Sequence, residues 1–200
     1  MRARFTTTVG IPLEGDFDVD GAAADLPRDH VLKGLFFARL VSALGDGWAG
    51  VQEGLEAPPE HGRYHTFESY PMTDYLRILH AVARERFGIH AGREGVRLLA
   101  RGEIDVFAES TLGKVTFAML REPGAALLRY PDAIGILGQG PSIAARRVAA
   151  DHVLVTYPLY YGSVEYAVGV IEGLVLAFDA SPCLEVAWAS DRRLAVDVRW

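Results

Sequence analysis

The feature of this sequence that most restricts its fold is a change in hydrophobic period near Ser142. Before this point, apolar residues recur every three or four positions, most clearly over residues 75–87, and that spacing indicates one buried face of an α-helix. After it, apolar and polar residues alternate, most clearly over residues 194–200, as is typical of a half-buried strand. Because helices and strands are segregated along the chain, the pattern predicts an α+β fold rather than repeated βαβ units.

Caps, breakers and the two periods divide the chain further. An opening strand is expected at residues 4–9 and an acidic loop at 14–29, and Thr73 is a candidate N-cap. Helices are expected at 27–44, 71–87, 92–101, 103–121, 125–137 and 164–178, with Pro131 as a kink or break. Strands are expected within 145–158, and residues 183–188 and 194–200 form a closing hairpin. No linker-like segment is evident, so the sequence predicts a single domain spanning residues 1–200.

Composition and charge exclude several classes of protein. The 26 acidic and 20 basic residues give a net charge of −6, and no basic patch is evident that could bind nucleic acid. No uncharged apolar run approaches the ~18 residues that a membrane-spanning helix needs. Cys183 is the single cysteine, which excludes an intrachain disulfide and suits a reducing compartment. We therefore expect a cytoplasmic protein with no membrane contact.

An acidic motif at the start of the chain is the sharpest local signal. Asp16, Asp18 and Asp20 alternate before Gly21, as carboxylates do in the first half of a calcium-binding loop. The last position of such a loop needs a bidentate acid, and here it is Pro27. The motif is therefore a weak calcium candidate, and a solvated acidic loop that also caps a helix is the favoured interpretation.

His80 is the histidine that most resembles a functional one. It lies on an otherwise apolar helical segment, where it could be an axial haem ligand or a buried base. A structural histidine at the edge of the core is the simpler interpretation. No sequence motif for a nucleophile, a phosphate loop or a dinucleotide site is complete, so we favour a protein that is not an enzyme, while an active site assembled only in the fold remains an alternative.

Four tyrosines surround the Gly162-Ser163 pair. Tyrosines can line a pocket and bind a ligand through their hydroxyl groups, or they can form a corner between a strand and a helix. The sequence leaves both interpretations open. The four are Tyr157, Tyr160, Tyr161 and Tyr166.

Several segments together resemble a known family. They are VLKGLFF at residues 31–37, YPMTDYL at 70–76, ESTLGK at 109–114, a helix carrying Gly169 and Gly173, and a last strand ending at Trp200. The chain resembles a myxobacterial paralogous family of domains of unknown function and of about this length. That family is similar in turn to a broad group of haem–nitric-oxide-binding domains, vinyl-reductase-like ligand domains and TRAPP-like trafficking subunits, mainly in the order of its C-terminal elements.

The sequence departs from the haem-binding members of that group at one position. Their Tyr-x-Ser-x-Arg motif is matched here by Tyr161 and Ser163, but Glu165 stands where arginine would bind a haem propionate. Because a carboxylate would repel a propionate, this departure from the motif disfavours haem. The resemblance therefore leaves the cofactor unknown. The zinc-binding cysteines of some vinyl-reductase-like domains are not matched either, since Cys183 is alone.

The resemblance and the aromatic cluster predict a non-enzymatic regulatory or sensory domain. It would bind a small, largely apolar ligand between helices and sheet, and it would act on a protein partner or on a second copy in a homodimer. A structural adaptor or scaffold without a ligand, and an unrecognised enzyme, are the alternatives. The candidate ligand-binding residues are Tyr157, Tyr161, Tyr166, Phe117 and His80.

Overall fold

A computed structural model describes residues 4–5, 16–160, 162–189 and 191–200 of the chain. These residues form two compact units. The three-stranded unit contains residues 16–96 and 134–140, and the five-stranded unit contains residues 4–5, 97–133 and 141–200. The prediction of a single domain spanning the chain stays a prediction.

The three-stranded unit has a small antiparallel sheet in the order β3 (Ser69–Pro71), β2 (Val31–Lys33), β4 (Gly138–Gln139). Strand β2 pairs with β3 on one side and with β4 on the other. In chain order its elements are α1 (Val19–Asp25), β2 (Val31–Lys33), α2 (Gly34–Leu44), α3 (Trp48–Gln52), β3 (Ser69–Pro71), α4 (Met72–Phe87) and β4 (Gly138–Gln139).

Helix α4 is the longest of the helices that lie wholly within the three-stranded unit. It begins after Pro71 and ends at Gly88, whose φ of 82° is in a region that glycine adopts without strain. Asp74 in the first turn is fully buried and accepts the main-chain N–H groups of Glu56 and Ala57, at 2.7 and 2.8 Å. Asp74 thereby holds residues 56 and 57, which precede the Pro58-Pro59 pair, against helix α4.

The five-stranded unit is built around a sheet in the order β1-β7-β8-β6-β5. All neighbouring strands are antiparallel except β1 and β7, which are parallel. Its strands are β1 (Arg4–Phe5), β5 (Ala144–Ala149), β6 (His152–Tyr157), β7 (Cys183–Trp188) and β8 (Leu194–Arg199). Its helices are α6 (Thr111–Met119), α8 (Val164–Leu176), and the parts within this unit of α5 (Gly92–Glu109) and α7 (Pro123–Leu137).

Helices α5 and α8 approach closely at two glycines. A Cβ atom at Gly169 would meet the main-chain carbonyl of Arg97, and one at Gly173 would meet that of Arg101. Between these contacts Glu172 is fully buried and forms ion pairs with the guanidinium groups of both arginines. The two positive charges offset the free-energy cost of burying this carboxylate. The ion pairs thereby link helix α8 to helix α5.

The structure confirms the α+β class and corrects several element boundaries. Residues 27–44 are not one helix, because residues 31–33 pair with strands β3 and β4 and only Gly34 begins α2. Helix α4 begins at Met72, so Thr73 is not its N-cap. Helix α5 continues through the predicted break near residue 102, and α7 continues through Pro131. Of the predicted opening strand, residues 4–5 are a strand and residues 6–9 lie outside the described part.

The closing hairpin is confirmed, with β7 and β8 paired antiparallel along their length. None of the helices among the described residues has the length and apolar character that spanning a bilayer requires.

Candidate functional site

A cavity of about 470 Å³ lies at one end of the five-stranded sheet, where β6 ends and the turn joins β7 to β8. It is formed within the five-stranded unit. Its described lining residues are Thr156, Tyr157, Pro158, Ala187, Trp188, Ala189, Arg193, Leu194 and Ala195.

The strand register explains why a cavity forms here. Thr156, Ala195 and Ala187 stand opposite one another on three neighbouring strands. Alternate residues of a strand point to opposite faces, so these three small side chains share one face. Tyr157 and Leu194, in the next row, expose only 1% of their surface. Because Tyr157 and Leu194 point to the opposite, buried face, the row of small side chains leaves a depression on its own face of the sheet.

The cavity surface is mainly apolar. Besides Tyr157, which is buried, the described lining residues whose side chains carry polar atoms are Thr156, Trp188 and Arg193. The described lining residues include no histidine, cysteine or carboxylate side chain. Such a surface can bind a small apolar molecule, and it offers no pair of described side chains for acid–base chemistry.

A cluster of buried tyrosines lies directly behind the cavity. The hydroxyl of Tyr157 donates to the hydroxyl of Tyr130 at 3.2 Å, and its ring centroid is 4.9 Å from that of Tyr160. The ring of Tyr160 meets Trp188 edge-on, with centroids 6.4 Å apart. Two lining residues of the cavity, Tyr157 and Trp188, thus share Tyr160 as a neighbour.

The segment after Tyr160 turns into helix α8 through Ser163. The Ser163 hydroxyl oxygen accepts the main-chain N–H of Tyr166 at 3.1 Å, which caps the helix, and it donates to the buried carboxylate of Glu165 at 2.7 Å. The Tyr166 hydroxyl donates to Glu103 on α5 at 2.8 Å. A strand-to-helix corner is therefore what the described tyrosines form around Ser163.

Burial raises the pKa of the tyrosine hydroxyl groups in this cluster. Desolvation raises the pKa of Tyr130 to about 12, despite the hydrogen bond with Tyr157 that lowers it. Desolvation, with nearby carboxylates and phenols, raises the pKa of Tyr157, Tyr160 and Tyr166 well above the ordinary value. The four hydroxyl groups therefore stay protonated, and those of Tyr157, Tyr160 and Tyr166 donate hydrogen bonds to Tyr130, Ser163 and Glu103.

The predicted ligand-binding residues are found in different places. Tyr157 lines the cavity, and Tyr166 lies in the corner behind it. Phe117 packs on α6 with its ring 5.7 Å from that of Phe178, and it is not among the lining residues. Tyr161 lies outside the described residues. His80 belongs to the three-stranded unit.

His80 and the acidic motif contact each other within the three-stranded unit. His80 Nε2 is 2.9 Å from Asp16 Oδ1, and its ring meets Phe17 edge-on. Asp18 accepts the N–H of Gly21 at 3.0 Å and so caps helix α1, whose first turn contains Asp20. No group of three or more potential metal-ligating side chains is found among residues 16–160, 162–189 and 191–200.

Sequence reasoning missed Trp188, Arg193 and the three alanines of the cavity, Ala187, Ala189 and Ala195. Alanine carries no chemical signal, so the usable information was the register of the predicted hairpin. Pairing Trp188 with Leu194 places Ala187 opposite Ala195, which is the observed register.

Comparisons with known proteins extend this picture. The model of a family described as "Protein of unknown function (DUF2378)" matches residues 26–200. Among curated proteins, no match to this sequence was found.

Several solved structures have the same fold. The Fe(II) unliganded H-NOX protein from K. algicida matches with a TM-score of 0.65 and 14% identity, over 84% of this chain and 96% of that one. A mutant of T. tengcongensis H-NOX matches with a TM-score of 0.62 and 21% identity, over 84% and 97%. A protein whose structure was solved to study how porphyrin distortion modulates haem redox potential matches with a TM-score of 0.60 and 20% identity, over 84% of this chain and 100% of that one.

Proposed function

The chain belongs to the DUF2378 family, and from its H-NOX-like fold and the cavity at the end of its five-stranded sheet we propose that it is a non-enzymatic regulatory domain that binds a small, largely apolar molecule. The cavity is the observation that carries this proposal. Its occupancy would be the signal, and a protein partner or a second copy of the chain would receive it.

The size and lining of the cavity support a small ligand. Ligand pockets commonly have volumes of about 300–1,000 Å³, are mostly apolar, and carry a few polar groups that orient the ligand. The cavity is open to solvent on one side, and its volume of about 470 Å³ and its lining match this description, with Trp188 as the large aromatic residue and Thr156 and Arg193 as polar residues. An aromatic wall contributes contact area without the entropic cost of ordering a flexible side chain.

The solved neighbours support the same class of function by analogy of fold. They include an H-NOX protein in the Fe(II) unliganded state and a protein whose haem redox potential is modulated by porphyrin distortion. A shared fold does not fix a ligand, so the ligand must be argued from the residues of this chain.

Those residues do not fit haem. Glu165, where the related motif has arginine, is buried and accepts the Ser163 hydroxyl, so a haem propionate would meet a carboxylate there. His152 is the single histidine of residues 97–200, and it lies on the sheet with Nε2 2.8 Å from Asp197. In the other unit, His80 has its Nε2 engaged by Asp16. We therefore propose a ligand other than haem.

A titration with the neutral dye N-phenylnaphthylamine tests the proposal. The dye fluoresces in apolar surroundings, and the untagged wild-type protein should bind one molecule per chain. Ala187→Phe places a large side chain in the cavity at an exposed strand position that tolerates aromatic residues. This variant should bind the dye at least about tenfold more weakly, because the space is filled.

Ala149→Phe is the matched control. Ala149 is also an exposed alanine at a strand position, on β5, and it does not line the cavity. It should bind the dye like the wild type, and circular dichroism should show that both variants fold. Absence of dye binding by the wild type, or equal binding by Ala187→Phe, would overturn the proposal.

A further inference from the structure

Arg193 is the one charged side chain among the described residues that line the cavity. Its Nε donates to Asp191 Oδ2 at 2.7 Å, and its main-chain N–H bonds Asp191 Oδ1 at 3.3 Å. Its carbonyl accepts the N–H of Ala189 at 3.0 Å, which closes the turn between β7 and β8. The turn therefore holds both the backbone and the first nitrogen of this side chain in place.

The outer nitrogens of the same guanidinium remain available. No described residue accepts a hydrogen bond from Nη1 or Nη2 of Arg193, and the side chain is 70% exposed. These two nitrogens carry four N–H groups in one plane, a geometry that matches the two oxygens of a carboxylate. Asp191 occupies the Nε edge and leaves the end of the fork open.

The charge around the cavity differs from that of the chain as a whole. The protein has a net charge of −6, yet the described lining residues include no aspartate or glutamate. An anionic group bound in the mouth of the cavity would thus meet the Nη1 and Nη2 donors of Arg193, while the Asp191 carboxylate occupies the Nε edge of the same guanidinium. A purely apolar ligand would make no use of this arrangement.

We propose that the ligand of this cavity has an apolar body and one anionic head group of the carboxylate type, and that Arg193 selects for the head group. The inference rests on the proposed ligand-binding function and names the chemical class of the ligand. Trp188 and the alanines Ala187 and Ala195 contact the body, while Nη1 and Nη2 of Arg193 donate to the anion.

Two dyes that differ by one anionic group test this proposal. Anilinonaphthalenesulfonate has the body of N-phenylnaphthylamine with an added sulfonate. At low ionic strength, Arg193→Gln should weaken binding of the sulfonate dye by about three- to fivefold, which is the upper part of the range for an exposed charge pair. Binding of the neutral dye should change by less than about twofold, and added salt should reduce the effect of the substitution on the sulfonate dye.

Arg129→Gln is the matched control, because it removes the same charge from a side chain of similar setting. Arg129 is 72% exposed and bonds Asp132 at 3.1 Å, as Arg193 is 70% exposed and bonds Asp191. It does not line the cavity and should leave the binding of both dyes unchanged.

The outcomes separate this inference from the function on which it rests. If the wild type binds neither dye, or if Ala187→Phe binds both dyes as tightly as the wild type does, the proposed function fails. If both dyes bind in the cavity but Arg193→Gln affects them equally, the ligand-binding function stands and the anionic head group is wrong. If Arg129→Gln weakens the sulfonate dye as much as Arg193→Gln does, the effect is one of net charge and Arg193 is not the selecting residue.

Discussion

The hydroxyl of Tyr160 donates a hydrogen bond to the main-chain carbonyl of Ser163, 2.9 Å away, and Ser163 is the N-cap of helix α8. The ring of the same tyrosine contacts Tyr157 and Trp188, which both line the cavity. One buried side chain thus joins the cavity wall to the start of a buried helix. A ligand that reorients Trp188 or Tyr157 would act on the cap through Tyr160.

Replacing Tyr160 by phenylalanine should leave dye binding intact and remove the effect of the dye on the N-terminus of helix α8. The variant keeps the ring contacts and loses the hydrogen bond, so unfolding in urea should show a loss of about 1–2 kcal/mol. In the wild type, saturating N-phenylnaphthylamine should slow amide exchange in the first turn of α8. In Tyr160→Phe the dye should still bind, and equal slowing of exchange in both proteins would show that Tyr160 carries no coupling.

The Ser163 cap should be worth more than an ordinary helix cap. Ser163→Ala removes the cap of α8 and also leaves the buried Glu165 carboxylate without the Ser163 donor. Ser110→Ala is the comparison, since the Ser110 hydroxyl caps α6 by accepting the N–H of Gly113 at 3.0 Å and donates to the main-chain carbonyl of Phe107, and not to a carboxylate. Loss of a cap costs about 0.5–2 kcal/mol, so Ser110→Ala should fall in this range and Ser163→Ala above it. Equal losses in urea unfolding would contradict this.

The contact between Asp16 and His80 should make stability depend on pH in the acid range. Desolvation raises the pKa of Asp16, but hydrogen bonds from His80 and the Phe17 N–H and the charges of His80 and Arg84 outweigh it, so the net pKa lies below 3.8. A lowered folded-state pKa adds stability above the unfolded value, and this is lost as pH falls through the folded value. Wild type should therefore exceed Asp16→Asn in unfolding free energy at about pH 7, and the difference should shrink below about pH 4. A difference that is constant with pH would refute this origin.

Because α5 and α8 approach closely at Gly169, a larger residue at this position should lower the free energy of unfolding. A Cβ atom there would meet the carbonyl oxygen of Arg97 and the side chain of Ala100, so Gly169→Ala should cost at least about 2 kcal/mol. Gly135→Ala is the control, because Gly135 lies within α7 and a Cβ atom added there would meet no described atom within 4 Å. That variant should gain about 0.5–1 kcal/mol from helix propensity. Thermal unfolding of both variants measures the contrast, which would vanish if the two helices could separate freely.

Local patterns predicted the parts of this fold that local physics determines. The alternation over residues 194–200 and the stripe over 75–87 identified strand β8 and helix α4, because each pattern reports one buried face. Strand β2 escaped prediction because it is three residues long and depends on β4, more than a hundred residues away: Val31 pairs with Gln139. Short strands of this kind are defined by their partners and not by their own sequence.

The candidate site shows the same division. The tyrosine corner around Ser163 was visible in the sequence because its residues are neighbours. The cavity was not, because it arises where small residues of separate strands fall in one register row. Likewise, nothing local indicates that Glu172 pairs with Arg97, 75 residues earlier.

The most direct test of the central claim is a native mass spectrum of the untagged wild-type protein and of Ala187→Phe, with a visible absorption spectrum of each sample. We expect an extra mass on the wild type that is absent from Ala187→Phe, without a Soret band in either. The same bound mass on both proteins, no bound mass on either, or a haem mass accompanied by a Soret band would contradict the proposed ligand-binding function.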